Sequence, residues 1–261
     1  MFIVCGFIVA ANSESNKLQK NGTIHSLENN QKYVMSSNSS DSLKRVTGNE
    51  AVILLHGFGK TKSDMSPLKR YFESTGYHVI CPALPTTFQS VKNCTEKFEQ
   101  IFNEINGKYD RIHFVGHSMG GLIIRLFLSR NRVPELGRCV LISTPNKGTE
   151  LASIPAHFFK FSLQIFESLE AFQPGGIKIP PPLNNPAPDI GVIAGNRNNL
   201  FFGRFIKREN DGRVPVDSVP FEGMKEFIVQ PYNHKEIHHR QEVAKLVHRF
   251  LQEGTFGIAA Q

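Results

Sequence analysis

The stretch RIHFVGHSMGGLIIR, starting at Arg111, constrains this chain more than any other. Ile112 to Val115 is a short apolar run of the kind that fills a buried strand. Leu122 to Leu128 is a second apolar run, long enough to begin a helix. Between them Gly116, His117, Ser118, Met119, Gly120 and Gly121 must turn the chain within a few residues. In so tight a strand–turn–helix the positions two before and two after the serine face neighbouring backbone, and glycine alone avoids a Cβ collision there. The pattern G-x-S-x-G in this setting lifts one hydroxyl above the carboxyl edge of a sheet, over the free N–H groups of a helix start. Ser118 is therefore the candidate nucleophile. Gly116 and Gly120 are the residues that permit the turn, and His117 is expected to shape it.

Other segments show that this unit belongs to a larger sheet. AVILLHGFG (from Ala51), YHVICP (from Tyr77), RCVLIST (from Arg138), DIGVIAG (from Asp189) and KEFIVQ (from Lys225) read as five more strands. Helical segments separate them. SPLKRYFESTG starts with Ser66 as the expected N-cap and Pro67 at the first helical position. Residues 91–106 repeat apolar positions at helical spacing. The last helix is expected from about Glu236 to Gln252, with Val243, Leu246, Val247, Phe250 and Leu251 on one face. Strands without polar alternation need cover on both faces, which predicts an α/β class fold with a mostly parallel, doubly wound sheet.

The 261 residues divide unevenly. Phe2 to Ala11 is apolar and gives way abruptly to polar sequence. It reads either as a signal-peptide core without its basic flank, implying export, or as a short apolar terminus. Residues 12–49 are rich in Asn, Ser, Lys and Gln and read as a polar tail or an irregular edge. Residues 50–252 form the α/β domain, and 253–261 a C-terminal tail. Within the domain, about 153–188 breaks the β–α rhythm: it is aromatic at the front and Pro/Gly-rich at the back, as expected of a cap insertion. Phe158, Phe159, Phe161 and Phe166 are its candidate substrate-binding residues.

Composition narrows the function classes. The net charge of +7 is spread without a dense Lys/Arg block, and nothing matches a nucleic-acid module. Transient contact with an anionic lipid surface is compatible with the charge. The four cysteines have no metal-ligand spacing. His234 and His238 are four apart, but no glutamate directly follows the first, so no metal is expected.

A serine needs a base, and the base needs an orienting acid. With the nucleophile on such a turn, the acid follows the next-to-last strand and the base follows the last. After the fifth strand, Asp211 sits in Asn210-Asp211-Gly212, a tight-turn sequence that can aim a carboxylate inward; Asp217 and Glu209 are its rivals. After the sixth, His234 precedes the last helix, while His238, His239 and His248 are expected as solvated helix residues. Two N–H groups are needed for a developing oxyanion. Met119 supplies one, directly after the serine. Phe58, in the His56-Gly57-Phe58 turn after the first strand, supplies the other. Gly57 permits close approach and His56 is expected to brace the turn.

On these residues the chain resembles the α/β-hydrolase family, in particular its compact bacterial lipase/esterase-like members. VILLHGFGKTKSDMSPLKRYFESTGYHV, RIHFVGHSMGGLIIR, CVLISTPNKGTELA, VIAGNRN, NDGRVPVDS and NHKEI occur in the family's order over about residues 50–252. The resemblance implies a Ser118/Asp211/His234 triad, no metal and no organic cofactor, and carboxylic-ester substrates with an apolar acyl group, small molecules or lipids. A thioesterase or acyltransferase would use the same triad, and a non-catalytic binding module on this fold is the remaining alternative.

Overall fold

A computed structural model of the chain describes residues 43–153 and 171–257. The apolar amino-terminal stretch, most of the polar segment after it and the four cap phenylalanines, Phe158, Phe159, Phe161 and Phe166, lie outside the described residues.

Six strands appear where the apolar runs predict them: β1 (Glu50–Leu55), β2 (His78–Ile80), β3 (Arg111–His117), β4 (Leu136–Ile142), β5 (Ile190–Gly195) and β6 (Glu226–Gln230). They form one sheet in the order β2-β1-β3-β4-β5-β6, and every pair is parallel. Parallel neighbours need crossovers, and α1 (Ser66–Ser74), α2 (Val91–Asn103) and α3 (Met119–Leu128) supply those between β1 and β4, while α4 (Gln241–Glu253) follows β6.

Alternate residues of each strand feed two different cores. Ile53, Leu55, Phe114 and Leu141 pack with α2 and α3, against Phe98, Phe102, Leu122 and Phe127. Val52, Leu54, Val115, Val140 and Ile142 pack on the opposite face with α1 and α4, against Phe72, Val247 and Phe250. Because both faces are buried, the strands carry no polar alternation.

The chain moves outward from β1 to β2, then returns past β1 to β3 and continues to β6 in the other direction. The winding therefore reverses between β1 and β3, whose residues pair in register up to Leu55 and Gly116. Above such a reversal the two following loops diverge and leave a crevice, the usual ligand position on an open α/β sheet. Both loops singled out by sequence, after β1 and after β3, flank that crevice.

Three expectations are corrected. Ser66 does not cap α1: a 3-10 turn at Lys62–Met65 runs straight into the helix, so Met65 is the N-cap and Ser66 is already helical. The last helix starts later than Glu236. A 3-10 turn at Ile237–His239 comes first, and extended backbone at Arg240 separates it from α4. Nor are the histidines there all solvated, since His238 and His248 are fully buried and only His239 is exposed. His248 falls on the apolar stripe of α4 with Ala244 and Leu251, between the rings of Tyr71, Phe72 and Tyr77.

The Pro-rich stretch is pinned to the end of α3. The Leu183 N–H donates to the Leu128 carbonyl at 2.9 Å. The Asn184 side chain accepts from the Val133 N–H and donates to its carbonyl. Cys81, Cys94 and Cys139 are free thiols, and burial raises the pKa of each.

Candidate active site

The turn after β3 is built as its glycines require. A Cβ on Gly116 would stand 2.6 Å from the backbone of Gly120 and Gly121, and one on Gly120 would stand 2.2 Å from the Leu55 carbonyl oxygen. Both positions are closed to every side chain. The price of the turn falls on Ser118, the residue between them, which adopts φ 54° and ψ −121°. For an L-residue with a Cβ this conformation is strained by roughly 1–3 kcal/mol. The Ser118 N–H donates to the Ile142 carbonyl at 2.9 Å, tying the turn to β4. Met119 opens α3, so its N–H has no acceptor within the helix.

Three distant segments converge on the Ser118 hydroxyl. His234 Nε2 lies 3.1 Å from Ser118 Oγ, across 116 positions of sequence. His234 Nδ1 lies 2.7 Å from Asp211 Oδ2. Asp211 is fully buried, and His234 and Ser118 nearly so.

The carboxylate is aimed by its own turn. Asp211 Oδ1 accepts from the backbone N–H groups of Arg213 at 3.0 Å and Val214 at 2.8 Å. That fixes one oxygen and leaves the other to face His234. Gly212 makes the turn possible, with φ 90° and its N–H donated to Asn210 Oδ1. The rivals lie elsewhere. Asp217 is exposed and pairs with Arg208, and Glu209 accepts from the Asn196 side chain.

His117 supports this arrangement from below. It is fully buried, and its Nε2 donates to the His234 carbonyl at 3.0 Å. Its ring stacks at 3.7 Å on His238, whose Nε2 donates to Asp64 Oδ2 at 2.8 Å. Burial pushes the pKa of His117 well below that of an ordinary histidine and lowers that of His238 to about 4, so both rings are neutral at pH 7. Asp64 belongs to the segment following β1, so this stack joins the loops after β1, β3 and β6. Sequence alone does not find Asp64, because it stands 174 positions from the histidine it binds.

The turn after β1 meets the serine from the other side. A Cβ on Gly57 would come within 3.0 Å of the Ser118 Cβ, so the two loops are already in contact. His56 is fully buried. Its Nε2 accepts from the Leu84 N–H at 3.3 Å, which leaves Nδ1 as the protonated nitrogen, 3.2 Å from the Gly57 carbonyl. His56 thus bonds both its own turn and the segment after β2. The side chain of Phe58 meets Phe172 edge-on at 6.0 Å between centroids. Phe172 is an apolar wall beside this turn that sequence reading missed. It belongs to the segment expected as a cap insertion, six residues after Phe166 in sequence.

Asp64, His238 and His239 also place three ligand-type atoms within 4.8 Å of one another. Their hydrogen bonds account for the cluster: Asp64 takes the Lys60 ammonium besides both imidazoles.

Known proteins resemble the chain in the same way. The family model described as α/β hydrolase fold matches residues 50–169. Phospholipase YtpA of Bacillus subtilis is 24% identical over 135 residues, 45% of this chain and 52% of that protein, so the alignment spans about half the length of that relative. Among solved structures, the mature form of the lipase BlEst2 from Bacillus licheniformis superposes with a TM-score of 0.57 at 16% identity, covering 74% of this chain and 88% of that one. Phospholipase PlaB from Legionella pneumophila superposes with a TM-score of 0.61 at 16% identity, covering 80% and 60%. At such identities the likeness is one of fold.

Proposed function

The chain has the α/β-hydrolase fold, and on that premise we propose that it is a serine hydrolase of carboxylic esters that works through an acyl-enzyme at Ser118. The observation that carries this reading is the unbroken chain of contacts from Asp211 through His234 to the Ser118 hydroxyl.

Ser118 Oγ attacks the ester carbonyl while His234 Nε2 takes its proton. Asp211 holds the proton on Nδ1, which keeps Nε2 free as acceptor, and stabilises the imidazolium once it forms. The N–H groups of Phe58 and Met119 receive the oxyanion, with the start of α3 adding its partial positive charge. His234 then gives its proton to the leaving alcohol. Water, activated by the same nitrogen, releases the acid and restores the serine. The Phe58 ring, packed edge-on against Phe172, puts apolar surface on the turn that meets Ser118, which suits an apolar acyl group. The lipase and phospholipase names of the relatives add glycerolipid esters to the substrates worth testing.

The test is a fluorophosphonate probe followed by a panel of nitrophenyl esters of rising chain length, with phospholipids and thioesters alongside. A single adduct on Ser118, and turnover abolished in Ser118→Ala, are expected. Turnover that survives in Ser118→Ala would remove the mechanism. Faster thioester than ester turnover would move the chain to the thioesterase class.

A further inference from the structure

The Gly57–Phe58 peptide bond has two ends with different duties, and one of them is held by a residue outside every motif above. The Gly57 carbonyl accepts from the Thr86 hydroxyl at 2.9 Å. It also lies 3.2 Å from His56 Nδ1, the protonated nitrogen of that neutral ring. Thr86 itself lies 3.4 Å from the same Nδ1. Thr86 is 1% exposed and comes from the loop between β2 and α2, 29 positions along the chain. Two buried donors therefore reach the Gly57 oxygen.

A trans peptide is planar, and its N–H points opposite to its C=O. Fixing the Gly57 oxygen towards Thr86 and His56 fixes the Phe58 N–H in the other direction. No acceptor among the described residues bonds that N–H. The Gly57 Cα meanwhile packs against Ser118, as the 3.0 Å approach of a Cβ there shows. A peptide beside glycine is otherwise the most easily rotated unit in such a turn. A hydrogen bond to the carbonyl also polarises the amide and strengthens its N–H as a donor, by about 10–30% for bonds in series.

From this geometry we infer that Thr86 is a positioning residue for the oxyanion: its hydroxyl clamps the Gly57 carbonyl so that the Phe58 N–H is aimed and polarised before substrate arrives. The inference rests on the serine-hydrolase reading above. Thr86 touches neither substrate nor nucleophile, and it acts through one peptide bond. His56 shares the clamp but also takes the Leu84 N–H, so its removal would disturb two loops at once. Thr86 isolates the effect.

The experiment compares Thr86→Val, which keeps the shape and loses the hydroxyl, with Thr86→Ser, which keeps the hydroxyl. Full loss of one oxyanion donor typically costs 10²–10³ in kcat. A donor left in place but freed to rotate should cost about 10- to 100-fold, with KM within about twofold. Thr86→Ser should stay within about threefold of the parent chain. Affinity for an alkyl boronic acid, which forms a tetrahedral adduct on the serine, should fall in Thr86→Val in step with kcat/KM, while affinity for the product carboxylate stays constant. A merely structural role would not separate these two ligands.

Should Thr86→Val fail to fold, Thr86→Ala, which leaves room for water at the same carbonyl, carries the same comparison. Parental kcat and boronate affinity in the folded hydroxyl-less variant would overturn the inference, as would equal damage by the serine and valine substitutions. Fluorophosphonate labelling of Ser118 in the parent chain separates the two levels. Labelling and turnover with an indifferent Thr86 remove only this inference. No labelling and no turnover remove the serine-hydrolase reading and this inference with it.

Discussion

His234 is bonded to Asp211 twice: its Nδ1 meets the carboxylate at 2.7 Å, and its backbone N–H donates to the Asp211 carbonyl at 2.8 Å. The side-chain contact can thus be changed while the main-chain contact still holds the two loops together. Asp211→Asn should keep the fold, because the amide oxygen can go on accepting from Arg213 and Val214, or from His234 if the amide turns. In the first case the amide N–H₂ faces Nδ1 and forces the proton onto Nε2, which can then no longer accept from Ser118. A fall in kcat of about 10³–10⁴ is expected, with an unfolding midpoint close to the parent's. Steady-state ester turnover and thermal unfolding of one preparation check both halves. Near-parental kcat would show that Asp211 is not the orienting acid.

The strain on Ser118 predicts a gain in stability at the expense of activity. Glycine carries no Cβ, so Ser118→Gly relieves a conformation that serine tolerates poorly. Relief of roughly 1–3 kcal/mol, less about 1 kcal/mol for the freer unfolded chain, leaves a net gain of about 1 kcal/mol. For a chain of this size that is about 2–4 °C in unfolding midpoint. Ser118→Ala keeps the Cβ and should show no such gain. Equal midpoints for the glycine and alanine variants would argue against strain at this position.

Gly120 supplies the opposite case. An alanine methyl there would stand 2.2 Å from a main-chain oxygen of β1, and neither partner is a movable side-chain tip. Gly120→Ala should cost about 3 kcal/mol or more, at the upper end of overpacking effects. The urea midpoint measures it, and a loss below 1 kcal/mol would show that α3 can shift away from β1.

His248 gives a pH dependence remote from the site. Its ring is buried among Tyr71, Phe72 and Tyr77, its Nδ1 meets the Tyr71 hydroxyl at 3.2 Å and its Nε2 has no partner among the described residues. Burial lowers its pKa to about 4, against about 6.5 in an unfolded chain. As pH falls below 6.5 the unfolded chain takes up this proton first, so stability drops between about pH 6.5 and 4 and is intact above that window. Buried His238 acts in the same direction over the same window. His248→Phe should flatten the fall in urea-unfolding free energy by up to about 1.4 kcal/mol per pH unit. An unchanged slope would mean that His248 is charged in the folded protein.

Much of this was legible before any coordinates, for reasons that can be stated residue by residue. All six strands were apolar runs, because strands buried on both faces leave no other pattern to write. The serine turn was visible because two of its glycines are forced by backbone collisions at 2.2–2.6 Å, and steric demands of that size leave little choice of residue. Asp211 stands out as the candidate acid through the turn chemistry that aims it, and it does meet His234. Illegible were the contacts that join distant loops through single atoms. Asp64 with His238, and Thr86 with Gly57, leave no local periodicity and use residue types common on any surface. His248 departs from expectation because histidine as a residue type favours water, whereas its spacing from Ala244 and Leu251 puts it on the buried stripe.

The order of the parts along the chain has a consequence for synthesis. Ser118 is made first and His234 116 positions later, after the last of the six strands and just ahead of the final helix. On the proposed mechanism, a polypeptide still growing on the ribosome carries Ser118 without the imidazole that would take its proton. Any fragment ending before residue 234 would then be chemically mute, with reactivity arriving only once the last loop is in place.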